Sequence, residues 1–194
     1  ALVCGVETGV ADAADLNDAA KPNPGAVTLG TTGLGNLPHL MTLRLQQVAD
    51  VEFTIIPFQG NAPALRETLA GNVDGYISTV VTAIKEGSVR GLAMLAEERY
   101  DEVPDVPTFA ELGYTEMQAD VWFGVSVPAG TPEPIQQKIA DTMAAVAEDP
   151  EFVQQMEQIG NNIAFLDREE FQAKMQRLSD FFPGFLEDMD MLPE

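Results

Sequence analysis

The feature that most constrains this chain is a recurring order of short apolar run, glycine- or proline-bearing loop, and amphipathic helix. That order builds an α/β core in which helices cover a sheet. Its clearest instance starts at Ala26 to Leu29 and passes through Thr31-Thr32-Gly33-Leu34-Gly35-Asn36 into a helix with apolar positions Leu37, Leu40, Met41, Leu43, Leu45 and Val48. Glycine tolerates positive φ and lets backbone approach a ligand, and the free N–H groups of the following helix point toward the loop, so the segment predicts an anion cradle. The spacing is not a full dinucleotide or P-loop fingerprint, so the loop by itself identifies no nucleotide ligand.

The same order repeats. Val51 to Ile56 predicts a strand that ends at Pro57-Phe58-Gln59-Gly60-Asn61-Ala62-Pro63 and opens a helix carrying Leu65 and Leu69. Val73 to Ile77 leads through Ser78-Thr79 into a short helix before Gly87, and Val89 to Leu95 reads as a further strand. Ala1 to Val6 reads as a buried strand, followed by a helix that Asp12 caps and Pro22-Asn23-Pro24-Gly25 stops. This alternation predicts a parallel sheet covered on both faces.

The second half reads differently. Glu97 to Pro107 is a polar loop, with a short helix expected from Phe109 to Leu112 and stopped by Gly113. Val121 to Val127, with Trp122 and Phe123, predicts a strand; Thr131 is the expected N-cap, and Pro132 the first residue, of a helix with stripe Ile135, Ile139, Met143 and Val146. Asp149-Pro150 starts another helix, with Phe152, Met156 and Ile159 expected inward and Gly160 as the stop. Asp167 and Glu170 have capping-box spacing ahead of Phe171, Met175, Leu178 and Phe182, and Pro183-Gly184 is the expected end. Phe185, Leu186, Met189 and Leu192 suggest one more short helix.

A chain of 194 residues is long enough for one substantial core or two small lobes. Asp and Glu outnumber Lys and Arg by 31 to 10, a net charge of -21 that opposes binding to nucleic acid or anionic membrane and is compatible with a high-salt habitat. Cys4 is the only cysteine, so no internal disulfide forms, and its apolar flanks predict a buried thiol. There is no basic start followed by an apolar signal run, and no apolar segment reaches the roughly 18 residues that span a bilayer.

Four ordered motifs carry a resemblance: the cradle ending in His39-Leu40; Ile56-Pro57-Phe58-Gln59-Gly60-Asn61-Ala62-Pro63-Ala64-Leu65; Val103 to Gly113; and Trp122-Phe123-Gly124 with Val127-Pro128-Ala129-Gly130-Thr131-Pro132. Together they resemble the Bug/TctC family, the extracytoplasmic solute receptors of tripartite tricarboxylate transporters, from Leu2 to about Phe182. The resemblance implies an α/β, periplasmic-binding-protein-like (type II) two-lobed fold, one lobe nearly complete and the other lacking its N-terminal half. Residues 1–119 then form the ligand-binding lobe and 120–194 the C-terminal part of the other. Family members are chains of about 300 residues, so roughly 100 would precede Ala1. Without them, apolar surface around Val121 to Val127 is expected to be uncovered, favouring dimers or poor solubility.

By the same resemblance the chain is a noncatalytic, periplasmic receptor. Its ligand is a small di- or tricarboxylate or related organic acid, and its partners are the membrane permease subunits of the transporter, with no nucleic acid and no direct membrane insertion. The site residues implied are Thr31, Thr32, Gly33, Gly35, Asn36 and His39 in the first loop, Phe58, Gly60, Asn61 and Ala62 in the second, and Ser78 and Thr79 in the third. Thr31 stands where the family often has Ser, Asn36 replaces another small hydroxyl residue, Phe58 stands for the usual Tyr, and Gln59 for a frequently basic residue. Ser78-Thr79-Val80 abbreviates a loop that often carries Asp-Asn, which favours a ligand without an amine.

No catalytic residue, cofactor or metal site is expected. His39 has no ligating neighbours at metal spacing and reads as a hydrogen-bonding histidine near a helix start. Asp101, Glu102 and Asp105 lack the alternation of a calcium loop, Trp122 and Phe123 read as core, and the methionines read as core filler. Two alternatives stay open: an enzyme on the same scaffold, which lacks a visible nucleophile and base, and an orphan ligand-sensing co-receptor of a signalling system.

Overall fold

The computed structural model describes residues 1–161 and 163–188, and the chain divides into two compact units, Ala1–Trp122 and Phe123–Glu194. The first unit holds a five-stranded sheet with strands β1 (Leu2–Gly5), β2 (Thr28–Thr31), β3 (Thr54–Pro57), β4 (Gly75–Ile77) and β5 (Val89–Ala93), in spatial order β3-β2-β4-β1-β5. Strand β2 runs parallel to β3 and to β4, pairing Leu29 with Ile55 on one side and with Gly75 on the other. Helices α2 (Leu37–Ala49), α3 (Asn61–Leu69) and α4 (Val81–Lys85) make the connections that return the chain for each successive strand.

The sheet is mixed where the alternation predicts it wholly parallel: β1 pairs antiparallel with both β4 and β5. A parallel neighbour needs a crossover that carries the chain back along the sheet. After β1 the chain makes a 3-10 turn at Val6–Thr8 and the eight-residue helix α1 (Ala13–Ala20), and enters β2 from the edge at which β1 ended. The predicted cap is present: Asp12 Oδ1 accepts from the N–H groups of Ala14 at 2.8 Å and Asp15 at 3.0 Å.

Period-two alternation sorts the strand side chains between two cores. On one face Leu2, Cys4, Leu29 and Ile77 pack with Leu16 of α1, Met41 and Leu45 of α2, and Phe109 and Met117. On the other, Val3, Tyr76 and Val89 pack with Ala64 of α3, Val80 and Phe58. Each fully buried leucine contributes about 1.5–3 kcal/mol. Phe109 to Leu112, expected to be a short helix, forms turns. Phe109 buries its ring against the first core, Leu112 N and Gly113 N donate three residues back to Phe109 O at 3.1 Å and Ala110 O at 3.0 Å, and Glu111 accepts from Arg99 Nε at 2.9 Å and from Thr108 N at 2.7 Å. The bonds to Glu111, Arg99 first, hold its carboxyl below the usual carboxylate range.

Helix α2 ends on Asp50, which takes the left-handed conformation (φ 52°, ψ 52°) while its N–H donates to Gln46 O. A side chain with a Cβ is strained there, and its carboxylate sits at the negative end of the helix dipole. Asp50→Gly is therefore expected to raise stability by about 0.5–1 kcal/mol, read as a shifted urea midpoint at unchanged slope.

The second unit consists of α5 (Glu133–Ala147), α6 (Pro150–Gln158) and α7 (Arg168–Asp188). Asp149 caps α6, and Asp167 with Glu170 forms the predicted reciprocal box: Asp167 Oδ1 accepts from Glu169 N and Glu170 N at 2.9 Å, and Glu170 Oε2 accepts from Asp167 N at 3.0 Å. Thr131 does not cap α5, because its hydroxyl donates back to Pro128 O at 2.8 Å and Pro132 occupies the cap position. Helix α7 continues through Pro183 instead of ending at it, and the rings of Phe181, Phe182 and Phe185 pack edge-on and tilted across that turn. Phe185 and Leu186 thus belong to α7, while Met189 and Leu192 lie outside the described residues.

Val121 to Val127 is not a strand. Among the described residues no strand pairs with it, and an apolar run without a backbone partner cannot form a ladder. Its side chains are exposed, Phe123 to 89%. The helix positions expected to face inward, Ile135, Met143 and Ile159, are exposed as well, and no helix of this unit contains a buried residue among those described.

Candidate ligand site at the carboxyl edge of the sheet

Because β3, β2 and β4 are adjacent and run the same way, the segments that follow Pro57, Thr31 and Ile77 all leave the sheet at one edge. Open α/β sheets bind ligands at that edge, where the loops are free of the ladder and the next helices present their N-termini. All twelve candidate residues lie there, at the end of β2, on the three connections, or in the first turn of the helix that follows.

The first loop is held by its own side chains. Thr31 is fully buried and its hydroxyl donates to Gly33 O at 3.1 Å. Asn36 caps α2, with Oδ1 accepting from His39 N at 3.1 Å, while its Nδ2 donates to Thr32 Oγ1 at 3.0 Å. Gly35 N donates to His39 Nδ1 at 3.1 Å, with Gly35 at φ 74° and Gly33 at φ 146°. Once these bonds are made, the N–H groups of Thr32, Gly33 and Leu34 have no acceptor among the described residues.

The second loop is tied to the first by Phe58 N, which donates to Thr31 O at 2.8 Å. Phe58 lays its ring on Gly30, where a Cβ would come within 3.1 Å of it. Gly60, at φ 99°, turns the chain into α3, which no side chain among the described residues caps. The N–H groups of Asn61 and Ala62 therefore open the helix uncapped on an exposed turn, and Pro63 carries none. In the third loop Ser78 is half-buried, with its N–H on Ala1 O at 2.9 Å, and Thr79 is exposed.

The donors are neutral. Residues 31–39, 58–63 and 78–80 contain no Asp, Glu, Lys or Arg. Burial lowers the pKa of His39, which keeps its imidazole uncharged at neutral pH. Burial raises that of Tyr76, whose hydroxyl is enclosed without a partner among the described residues. Cys4 is buried, receives the Thr8 hydroxyl at 3.2 Å, and is pushed up by burial, so it stays a thiol. Among the described residues there is no grouping of three or more His, Cys, Asp or Glu that could hold a metal, and no helix long and apolar enough to cross a membrane.

One contributor escapes a motif reading. Gly30 makes room for the Phe58 ring, a contact between β2 and the loop after β3 that sequence spacing does not display. The hydrogen-bonding histidine expected near the helix start is present, with His39 Nδ1 accepting from Gly35 N across a four-residue step.

The family model of the tripartite tricarboxylate transporter family receptor, TctC, matches residues 1–180. Among curated proteins, the chain is 31% identical over 163 residues to the UPF0065 protein of the tcbD-tcbE intergenic region of Pseudomonas sp. (strain P51), covering 82% of this chain and 48% of that protein. It is 39% identical over 114 residues to protein BugT of Bordetella pertussis, covering 57% of this chain and 35% of BugT. Two solved structures, R. palustris Rpa4515 with adipate and the periplasmic binding protein BugD, each align with TM-score 0.89 and 26% identity over 100% of this chain and 66% of theirs. MatC of Rhodopseudomonas palustris with bound malate aligns with TM-score 0.73 and 28% identity, over 82% of this chain and 55% of MatC. The chain thus spans about half or less of the curated relatives named, and its fold is that of the periplasmic binding proteins. It belongs to the TctC receptor family.

Proposed function

We propose that this member of the TctC receptor family captures a small di- or tricarboxylate, or a related organic acid, outside the cytoplasm and delivers it, unreacted, to permease subunits of a tripartite tricarboxylate transporter. The observation that carries the reading is the set of unclaimed N–H donors at Thr32, Gly33 and Leu34, beside the uncapped start of α3 at Asn61 and Ala62. Each helix-terminus interaction contributes about 0.3–1 kcal/mol, so several must act on one acid group. Long-range attraction does not assist: the net charge of -21 repels anions, leaving capture to short-range hydrogen bonds. The adipate and malate held by two structural neighbours support the acid class, and the absence of any carboxylate from the three loops disfavours a ligand ammonium. In this reading the first unit is the ligand-binding lobe and the second belongs to another lobe of the whole protein.

Titration with malate, adipate and citrate, followed by calorimetry and thermal unfolding, checks this. One of the acids is expected to stabilise the protein by about 2.7 kcal/mol at a hundred times its Kd, with the acid recovered unchanged. Failure of all three to shift unfolding or release heat overturns the reading, and a chemically altered acid points to an enzyme.

A further inference from the structure

His39 is a hydrogen-bond acceptor, a role it can fill in one state only. Its Nδ1 receives the Gly35 N–H at 3.1 Å, and an imidazole accepts at Nδ1 only when that nitrogen is unprotonated, with the ring hydrogen on Nε2. The rest of the loop hangs on the same residue. The His39 N–H donates to Asn36 Oδ1, and Asn36 Nδ2 reaches on to Thr32 Oγ1, so a chain of bonds runs from the first turn of α2 to the start of the loop.

The strands beneath α2 bring no charged side chain to the loop end of the helix. Helix α2 packs on β2 and β4. Strand β2 carries no ionisable side chain; β4 carries Tyr76, which packs into the core of Val3 and Ala64 on the other face, and Asp74 precedes β4 at the end away from the loop. On α2 itself the charged residue is Arg44, which donates to Glu116 at 2.7 Å. Among the described residues no neighbouring charge contributes to the lowered pKa of His39, for which burial is the cause.

We propose that His39 is a positioning residue for the loop at 32–36, and that a proton added to its Nδ1 opens the clasp on Gly35 and weakens capture of the ligand. The effect on the ligand rests on the receptor reading above; the clasp does not. With Nδ1 protonated, two N–H donors face each other across the former bond, and Gly35 must turn away. The neighbouring N–H groups of Gly33 and Leu34 then lose their fixed directions. Because the folded pKa lies below the ordinary 6.5, the unfolded chain binds more protons in the window beneath 6.5, and stability falls as pH drops through it.

The test has two arms. In the ligand-free chain, the amide of Gly35 and the ring nitrogens of His39 are followed by NMR from pH 8 to 4.5. The Gly35 amide shift and exchange protection are expected to change together with the His39 titration, at a midpoint below 6.5. In the second arm, affinity for adipate and malate is measured for the unmodified chain and for His39→Gln, whose side-chain carbonyl can take the Gly35 N–H but does not titrate. From pH 7.5 to 5 the unmodified chain is expected to lose about tenfold more affinity than the variant, the equivalent of one hydrogen bond. Protonation of the acids acts on both proteins alike and cancels.

A Gly35 amide indifferent to the His39 titration, binding that tightens in acid relative to the variant, or a variant that loses affinity in acid as steeply as the unmodified chain overturns the proposal. If neither protein binds either acid at pH 7.5, the receptor reading fails, while the Gly35 titration still decides the clasp.

Discussion

On the receptor reading proposed above, Gly33→Val is expected to reduce affinity for adipate or malate at least about a hundredfold, the equivalent of about 2.7 kcal/mol, while leaving the protein folded. Gly33 holds φ 146°, a region that β-branched residues essentially do not enter, and a Cβ there would stand 3.1 Å from Asn36 Nδ2. The two γ-carbons of valine crowd that amide further. Asn36 then lets go of Thr32, its cap on α2 is disturbed, and the Gly33 N–H is re-aimed. Loss of the cap and the strain together are expected to cost about 1–3 kcal/mol of stability, within what a folded domain of this size tolerates. Calorimetric titration with adipate and malate beside urea unfolding separates the two effects. Affinity within threefold of the original would remove the first loop from the site.

The largest effect on folding is expected at a glycine that carries no chemistry. Gly75 opens β4 between β2 and β1, and a Cβ there would run into the carbonyl oxygen of Val3 on the paired strand, with the Cys4 Cα at 3.4 Å. Neither obstacle is a side chain that can swing aside. Gly75→Ala must therefore push β1 away from β4, breaking the ladder that pairs Leu2 with Ile77 and Cys4 with Gly75 in the middle of the sheet. The expected loss is about 3–5 kcal/mol, a large part of a domain's total stability, read by urea unfolding and by loss of near-ultraviolet circular dichroism. Gly184→Ala serves as the contrast. It lies in α7 with open space around its Cβ position, and exchange for alanine there is expected to be neutral or to stabilise by up to about 1 kcal/mol.

How far the sequence could be read depended on the range of the forces involved. Asp12, Asp149 and the Asp167–Glu170 pair act on N–H groups within four residues, and each appears in the structure where the spacing places it. The glycine loops are equally local, since positive φ at Gly33, Gly35 and Gly60 answers to the residue itself. Thr131 shows the limit of the same logic. A threonine before a helix can cap it or bond backwards, and here the carbonyl of Pro128 took the hydroxyl. Pro183 shows another, because ring packing among Phe181, Phe182 and Phe185 accompanies a helix that continues past a residue usually read as its end.

Apolar character did not by itself make a strand. Val121 to Val127 is at least as apolar as β5, but a strand exists only where another backbone offers N–H and C=O groups in register, and no such partner stands among the described residues. The direction of β1 was hidden for a related reason: Leu2 to Gly5 packs the same side chains whichever way it runs, and its antiparallel pairing with β4 and β5 is set by where the chain must re-enter the sheet.

The sequence by itself determined the turns, the caps and the neutral, glycine-bearing character of the loops, because those depend on φ preferences and on hydrogen bonds spanning a few residues. Only the tertiary structure decided that the loops after β3, β2 and β4 share one edge and that Phe58 rests on Gly30. These follow from strand order and close packing between segments far apart in the chain, which no local pattern records.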